Sequence, residues 1–145
     1  MKSKISKSFN DTINLGRELA RILKGGSVVL LDGEMGAGKS VFAKGIARAF
    51  SVRGDVLSPT FSIMNNYQVE IDGRNLELCH IDAYRIKSTD EALGAGLGDV
   101  IGDSSTICLI EWFDNIKELI NKNHSILVTI KRISKQSERM IDINL

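Results

Sequence analysis

The sequence predicts an α/β domain: a mostly parallel sheet flanked by helices, with an antiparallel hairpin set into it. Three observations predict this. Val28-Val29-Leu30-Leu31 is apolar at every position and bounded by turn residues, the pattern of a central parallel strand covered on both faces. A glycine-rich stretch, Gly33 to Gly38, follows at once and runs into Phe42, Ala43, Ile46, Ala47 and Phe50 at helical spacing. Further on the period changes to two, with apolar residues at Phe61, Ile63, Tyr67, Val69 and Ile71 and again at Leu76 and Leu78. Between these runs sits Asp72-Gly73, a dipeptide that accepts the two positive φ angles of a two-residue hairpin turn.

The other elements follow from the same signals. Ser8 and Asp11 have the spacing of a capping box ahead of Leu15, Leu19, Ile22 and Leu23, and Gly25-Gly26 ends that helix. Ser88 and Glu91 repeat the spacing before a short helix that Gly94, Gly96 and Gly98 interrupt. Ile107 to Ile110 reads as a second buried strand and Ile116, Leu119 and Ile120 as a short helix. Ile126 to Ile130 and Ile141 to Leu145 read as two closing strands. With no repeat, low-complexity tract or linker, residues 1–145 read as a single domain, long enough to bury a core.

Composition narrows the function classes. A formal net charge of +1 gives no sign of a polyanion-coating surface and leaves open contact with RNA through a local basic patch. Cys79 and Cys108 each lie in an apolar run with no C-x-x-C pair, so small buried side chains in a reducing compartment are expected. No stretch approaches the roughly 18 apolar residues that span a bilayer, and no apolar run follows Lys2, Lys4 and Lys7 as in a secretory signal. A cytoplasmic protein without membrane association is expected.

Gly33-Glu34-Met35-Gly36-Ala37-Gly38-Lys39-Ser40 matches G-x-x-x-x-G-K-[ST], the phosphate-binding P-loop, in its proper context between strand and helix. Glycines let backbone N–H groups turn inward around phosphate oxygens, and the helix N-terminus favours an anion. The domain is therefore expected to be P-loop NTPase-like. Lys39 is expected on the β- and γ-phosphates and the Ser40 hydroxyl on magnesium, with Gly33, Glu34, Gly36, Ala37, Gly38 and Val41 around the nucleotide. Such a site needs acids at a neighbouring strand end. Asp82 and Glu111 close two apolar runs and are the candidates, as metal ligands or for orienting an attacking water. His80 reads as a structural, hydrogen-bonded histidine, because no second histidine is near and magnesium prefers oxygen. His124 reads as a surface residue. Ser58-Pro59-Thr60-Phe61 is either a stiffened loop or a switch segment whose Thr60 senses the γ-phosphate. Asn121-Lys122-Asn123-His124 lacks the acid of the guanine-reading N-K-x-D, which favours ATP over GTP.

Taken together, these motifs resemble one family, the bacterial tRNA threonylcarbamoyladenosine biosynthesis ATPases, TsaE (formerly YjeE). The resemblance runs from Thr12-Ile13-Asn14-Leu15-Gly16 through the P-loop, Ser58-Pro59-Thr60-Phe61, Tyr67 and His80-Ile81-Asp82-Ala83-Tyr84-Arg85 to Ile110-Glu111-Trp112. It implies ATP hydrolysis with Mg²⁺, weak in the isolated subunit. It also implies partnership with TsaB and TsaD, which transfer a threonylcarbamoyl group to the adenosine beside the tRNA anticodon, so that tRNA is met only through the complex. By position, Lys39, Asp82 and Glu111 would be the catalytic set and Ser40, Asp82 and Glu111 the metal set. Thr60 would lie in the switch-like loop, and Trp112 near the nucleotide or beneath Glu111. The chain departs from the family pattern at Ser40-Val41, where two threonines are usual, and at Glu34, Ala83 and Phe113. The last strands match poorly, leaving Thr12 and Arg139 as candidates for the adenine pocket. A small-molecule kinase is the alternative, but it needs an arginine-rich lid, for which only Arg85 is at hand. A non-catalytic binding module would leave Asp82 and Glu111 structural.

Overall fold

Alternation along each strand decides which layer a side chain joins, and here both layers are filled. The computed structural model describes residues 2–52, 62–133 and 137–145. Strand β1 (Lys2–Ser6) leads to helix α1 (Phe9–Ala20), and β2 (Val28–Asp32) to α2 (Lys39–Ala49). The hairpin is β3 (Met64–Ile71) with β4 (Arg74–Asp82). Short helices α3 (Thr89–Gly94) and α4 (Leu97–Val100) precede β5 (Thr106–Glu111). Two 3₁₀ segments, Phe113–Leu119 and Lys122–His124, precede β6 (Ser125–Arg132) and β7 (Arg139–Asn144).

The strands form one sheet in the order β1-β7-β6-β2-β5-β4-β3. Its four central strands, β6, β2, β5 and β4, are parallel. The pairings β1–β7, β7–β6 and β4–β3 are antiparallel. The expectation of a mostly parallel sheet thus holds for the centre, and antiparallel strands flank it on both sides. Strand β1 has no counterpart in the sequence reading, for a physical reason: Lys-Ser-Lys-Ile-Ser buries only its last residue, so no apolar alternation marks it. Lysines on such an edge also discourage pairing with another chain. Lys4 ties β1 to α1 through Glu18 at 2.8 Å and holds that carboxyl below its ordinary range.

Val29, Leu31, Leu78, Leu109, Val128 and Ile130 meet Leu15, Leu19, Phe42 and Ile46 of α1 and α2 in one buried layer. Val28, Leu30, Cys79, Ile81, Cys108 and Ile110 meet Ala92, Leu97 and Ile116 in the other. This two-sided burial is what the unbroken apolar runs of β2 and β5 encode. Both cysteines are buried free thiols, as expected. Hydrogen bonding with Cys79, together with burial, holds the Cys108 thiol far above its ordinary range.

The local signals fold as their chemistry dictates. Ser8 and Ser88 cap α1 and α3 by accepting from the amides of Asp11 and Glu91, each at 3.1 Å. The two acids reach back to the amides of Lys7 and Lys87, one residue before the cap. Asp72 and Gly73 take φ of 52° and 77°, and Ile71 pairs with Arg74 across that turn. The helix expected over Ile116 to Ile120 is instead irregular 3₁₀ structure, broken where Ile116 turns to φ −132°. Phe61, read as part of β3, lies outside the described residues. Among those described, no helix is long and apolar enough to cross a membrane.

Helices α1 and α2 touch backbone to backbone. A Cβ on Gly16 would strike the Phe42 carbonyl oxygen, and one on Gly45 the carbonyl of Ile13. Backbone cannot yield as a side chain can, so Gly45→Ala should destabilise the fold by about 1–3 kcal/mol, the cost of overpacking. Gly94→Ala is the control, because nothing lies within 4 Å of the added methyl; it should be neutral or stabilising. Urea unfolding midpoints of the two variants measure the contrast.

Candidate nucleotide-binding site

Parallel strands end together, and the residues at their carboxyl ends share one edge of the sheet, where α/β folds place ligands. Strand β5 lies between β2 and β4, and its last residue, Glu111, pairs with Leu31 on one side and Asp82 on the other. The chain leaving β2 therefore enters the P-loop beside the two acids. Within that loop Gly36 and Gly38 have φ of 76° and 115°, the left-handed region that L side chains avoid. The amide of Ala37 bonds the Glu34 carbonyl at 3.0 Å, and Gly38 opens α2 as its N-cap.

Lys39 begins α2 and is buried. Its ammonium donates to the Gly33 carbonyl oxygen at 2.7 Å, lies 4.0 Å from Glu111 Oε1 and sits 4.7 Å from the Trp112 ring centroid. A buried cation is tolerable only with such partners, a carboxylate and an aromatic face among them. Trp112 itself holds φ 55° and is partly exposed, with the Tyr84 ring 4.9 Å away. Asn115 fixes the turn after β4 by donating to the Ala83 carbonyl at 2.9 Å.

Glu111 is buried and shares a 2.8 Å hydrogen bond with His80 Nε2. The Nδ1 atom of His80 is buried with no partner among the described residues. A hydrogen placed there would be an unsatisfied buried donor costing about 1–3 kcal/mol, so the ring carries its hydrogen on Nε2 and donates it to Glu111. The expected structural histidine is hydrogen-bonded, but to a candidate site acid rather than to the scaffold. Asp82 is half-buried and accepts from the Tyr84 amide at 3.0 Å.

Three openings meet at the P-loop. A cleft of about 320 Å³ is lined by Lys39, Ser40, Val41, Asp82, Glu111 and Trp112 together with Gly36 and Gly38. It gathers the phosphate and metal candidates of the sequence. Its oxygen donors, Ser40, Asp82 and Glu111, suit a hard cation such as Mg²⁺, which keeps several waters and takes few protein ligands. A second cleft, about 230 Å³, brings Thr12 and Arg139 together with Ala37, Gly38, Val41 and Phe9. Gly33, Glu34 and Ala37 face a third, about 480 Å³, bounded by Thr129, Lys131, Arg132 and Trp112. Thr60 lies outside the described residues. His124 is exposed, as expected.

Sequence reasoning missed one brace. Arg132 Nη2 donates to the Gly36 carbonyl at 2.9 Å, and Arg139 Nε to the Ala37 carbonyl at 2.8 Å. Two loop carbonyls are thereby held by arginines of β6 and β7.

A Walker-type loop between a central parallel strand and a helix, with paired acids on the adjoining strands, defines a P-loop nucleotide-binding protein. Comparison with known proteins narrows the class. The family model described as threonylcarbamoyl adenosine biosynthesis protein TsaE matches residues 6–141, and the chain belongs to that family, named for tRNA threonylcarbamoyladenosine biosynthesis. It is 40% identical over 101 residues to the TsaE protein of Aquifex aeolicus, covering 67% of this chain and 73% of that one. With the TsaE protein of Treponema pallidum it shares 35% over 112 residues, covering 77% and 78%. With that of Mycobacterium tuberculosis it shares 34% over 134 residues, covering 90% and 79%. The crystal structure of Bacillus subtilus YdiB superposes with a TM-score of 0.73 at 29% identity, covering 97% of this chain and 82% of that one.

Losing the brace should cost nucleotide affinity. A hydrogen bond from a charged donor contributes about 1.5–3 kcal/mol, so Arg139→Ala should weaken binding of an ATP analogue by about tenfold or more. Lysine should not restore it, lacking the planar fork. The more exposed Arg132→Ala should lose less. Titration calorimetry measures both.

Proposed function

We propose that this chain is a Mg²⁺-dependent ATPase whose cycle of ATP binding and hydrolysis supports a partner transferase complex of the TsaB and TsaD type in tRNA threonylcarbamoyladenosine formation. It meets tRNA only through that complex. One observation carries the reading: Lys39, Ser40, Asp82 and Glu111 line a single cleft at the mouth of a P-loop.

The roles follow from the groups present. Backbone amides of the loop and the N-terminus of α2 take the phosphate tail. Lys39 has three donors and now uses one on Gly33, so phosphate oxygens have only to compete for that ammonium. Mg²⁺, when bound, neutralises charge on the phosphates; Ser40 would hold it, with Asp82 and Glu111 acting directly or through water. The other task of the two acids is to orient the attacking water. The Thr12–Arg139 cleft, adjoining the loop at Ala37 and Gly38, is the candidate adenine subsite. Its wall of threonine and arginine side chains offers hydrogen bonds and a stacking plane to a base.

Slow turnover in the isolated subunit is part of the reading. Asp82 is only half-buried and Trp112 is partly exposed at the cleft mouth, so the water position is left open until a partner covers it. The kinase reading finds less support, since among the described residues no arginine lines the Lys39 cleft.

Phosphate release from ATP, measured with and without the two partner proteins, tests the proposal. Turnover should rise at least about tenfold on assembly if the partners complete the site, and Lys39→Ala should abolish it in both conditions. Equal rates with and without partners would contradict the partner-dependent part. A phosphorylated metabolite in place of free phosphate would favour the kinase.

A further inference from the structure

We propose that His80 is a positioning residue for Glu111, fixing the plane of its carboxylate so that one oxygen stays on the ring while the other faces the nucleotide cleft. The inference rests on the reading above that Glu111 serves the metal-nucleotide, and it goes beyond that reading by giving a task to a residue that touches neither nucleotide nor cleft wall.

A glutamate carboxyl rotates freely about its last torsion, which has broad wells. His80 restrains that torsion, because turning the carboxylate plane would break its bond to the ring. The ring is 1% exposed and lies on β4, two residues before Asp82, so all three side chains follow one face of adjacent strands. Its Nε2 bonds Oε2 of Glu111 at 2.8 Å, leaving Oε1 as the oxygen 4.0 Å from the Lys39 ammonium. With Nδ1 lacking an acceptor among the described residues, the donor is fixed on Nε2 and the ring has no competing use for it. A histidine serving only the scaffold would spend its donor on a backbone carbonyl. This one spends it on an acid of the cleft, in the manner of second-layer groups that orient metal-binding carboxylates.

The geometry names its own probes. The glutamine amide nitrogen reaches the place of Nε2, whereas the asparagine amide stops short at the place of Nδ1. His80→Gln should therefore keep Glu111 oriented, and His80→Asn and His80→Leu should release it. In the full chain assayed with its partner proteins, kcat for ATP should fall about 10–100-fold in the asparagine and leucine variants, the usual loss when a second-layer partner is removed. KM should stay within about threefold, because only the water-orienting acid has moved. The glutamine variant should keep kcat within about threefold of wild type.

Two further measurements keep the outcomes distinct. Thermal melting separates misfolding from misorientation; should His80→Leu fail to fold, the glutamine–asparagine contrast decides. Calorimetric binding of ATP at varied Mg²⁺ reads Glu111 without turnover, and the asparagine variant should need about tenfold more Mg²⁺ for half-maximal tightening than glutamine or wild type. Equal behaviour of the glutamine and asparagine variants in both assays overturns the assignment to His80. Wild-type protein that binds Mg²⁺-ATP yet releases no phosphate overturns the ATPase reading instead, while the Mg²⁺ arm still decides His80. A chain that binds no nucleotide overturns both.

Discussion

The register of three parallel strands is the constraint on which everything else depends. Glu111 pairs with Leu31 of β2 and with Asp82 of β4, and a slip of one residue in either ladder would turn an acid into the opposite layer. That register is specified by burial. Every residue of β5 is buried, and alternate residues are claimed by two different helical layers. The core therefore does more than stabilise the fold: it sets the distance between the P-loop lysine and the carboxylate opposite it.

A charge problem follows at the mouth of these strands. Lys39 and Glu111 are both nearly enclosed, and removing either would strand the other, at a cost of several kcal/mol. The structure spreads the cost over neighbours: Gly33 and Trp112 attend the ammonium, His80 the carboxylate. The backbone of Trp112 takes positive φ, a strained state for a bulky residue that is characteristic of functional sites. The glycine loop is braced from outside by Arg132 and Arg139. The ammonium, the left-handed glycines of the loop and the two acids thus lie together at one cleft.

Much of this was legible in the sequence, unevenly. The P-loop could be read because its chemistry is local: glycines, lysine and serine at fixed spacing between a strand and a helix. The hairpin at Asp72-Gly73 was legible for the same reason, as were the caps at Ser8 and Ser88. The pairing of Asp82 with Glu111 was legible only as two strand-end acids, since register is a property of the sheet. Strand β1 carried no signal because an edge strand with one buried residue has no apolar period. Arg132 gave none because a lone arginine at a strand end has many uses, and only the fold brings it onto Gly36. The resemblance to the TsaE family included His80 within its motif, yet residue types could not say that its partner is Glu111. Gly16 closes the first motif of that resemblance, Thr12 to Gly16, and its reason is steric: α1 and α2 meet there without room for a methyl group.

The central claim is that the amides of the loop, with Lys39, hold a triphosphate, and a crystal structure with Mg²⁺ and a non-hydrolysable ATP analogue tests it most directly. The account predicts phosphate density along residues 36 to 40, with the Lys39 ammonium drawn from the Gly33 carbonyl towards the β- and γ-phosphates, and the base beside Thr12 and Arg139. An analogue bound away from the loop, or a loop left empty at millimolar analogue with Lys39 still on Gly33, would contradict it.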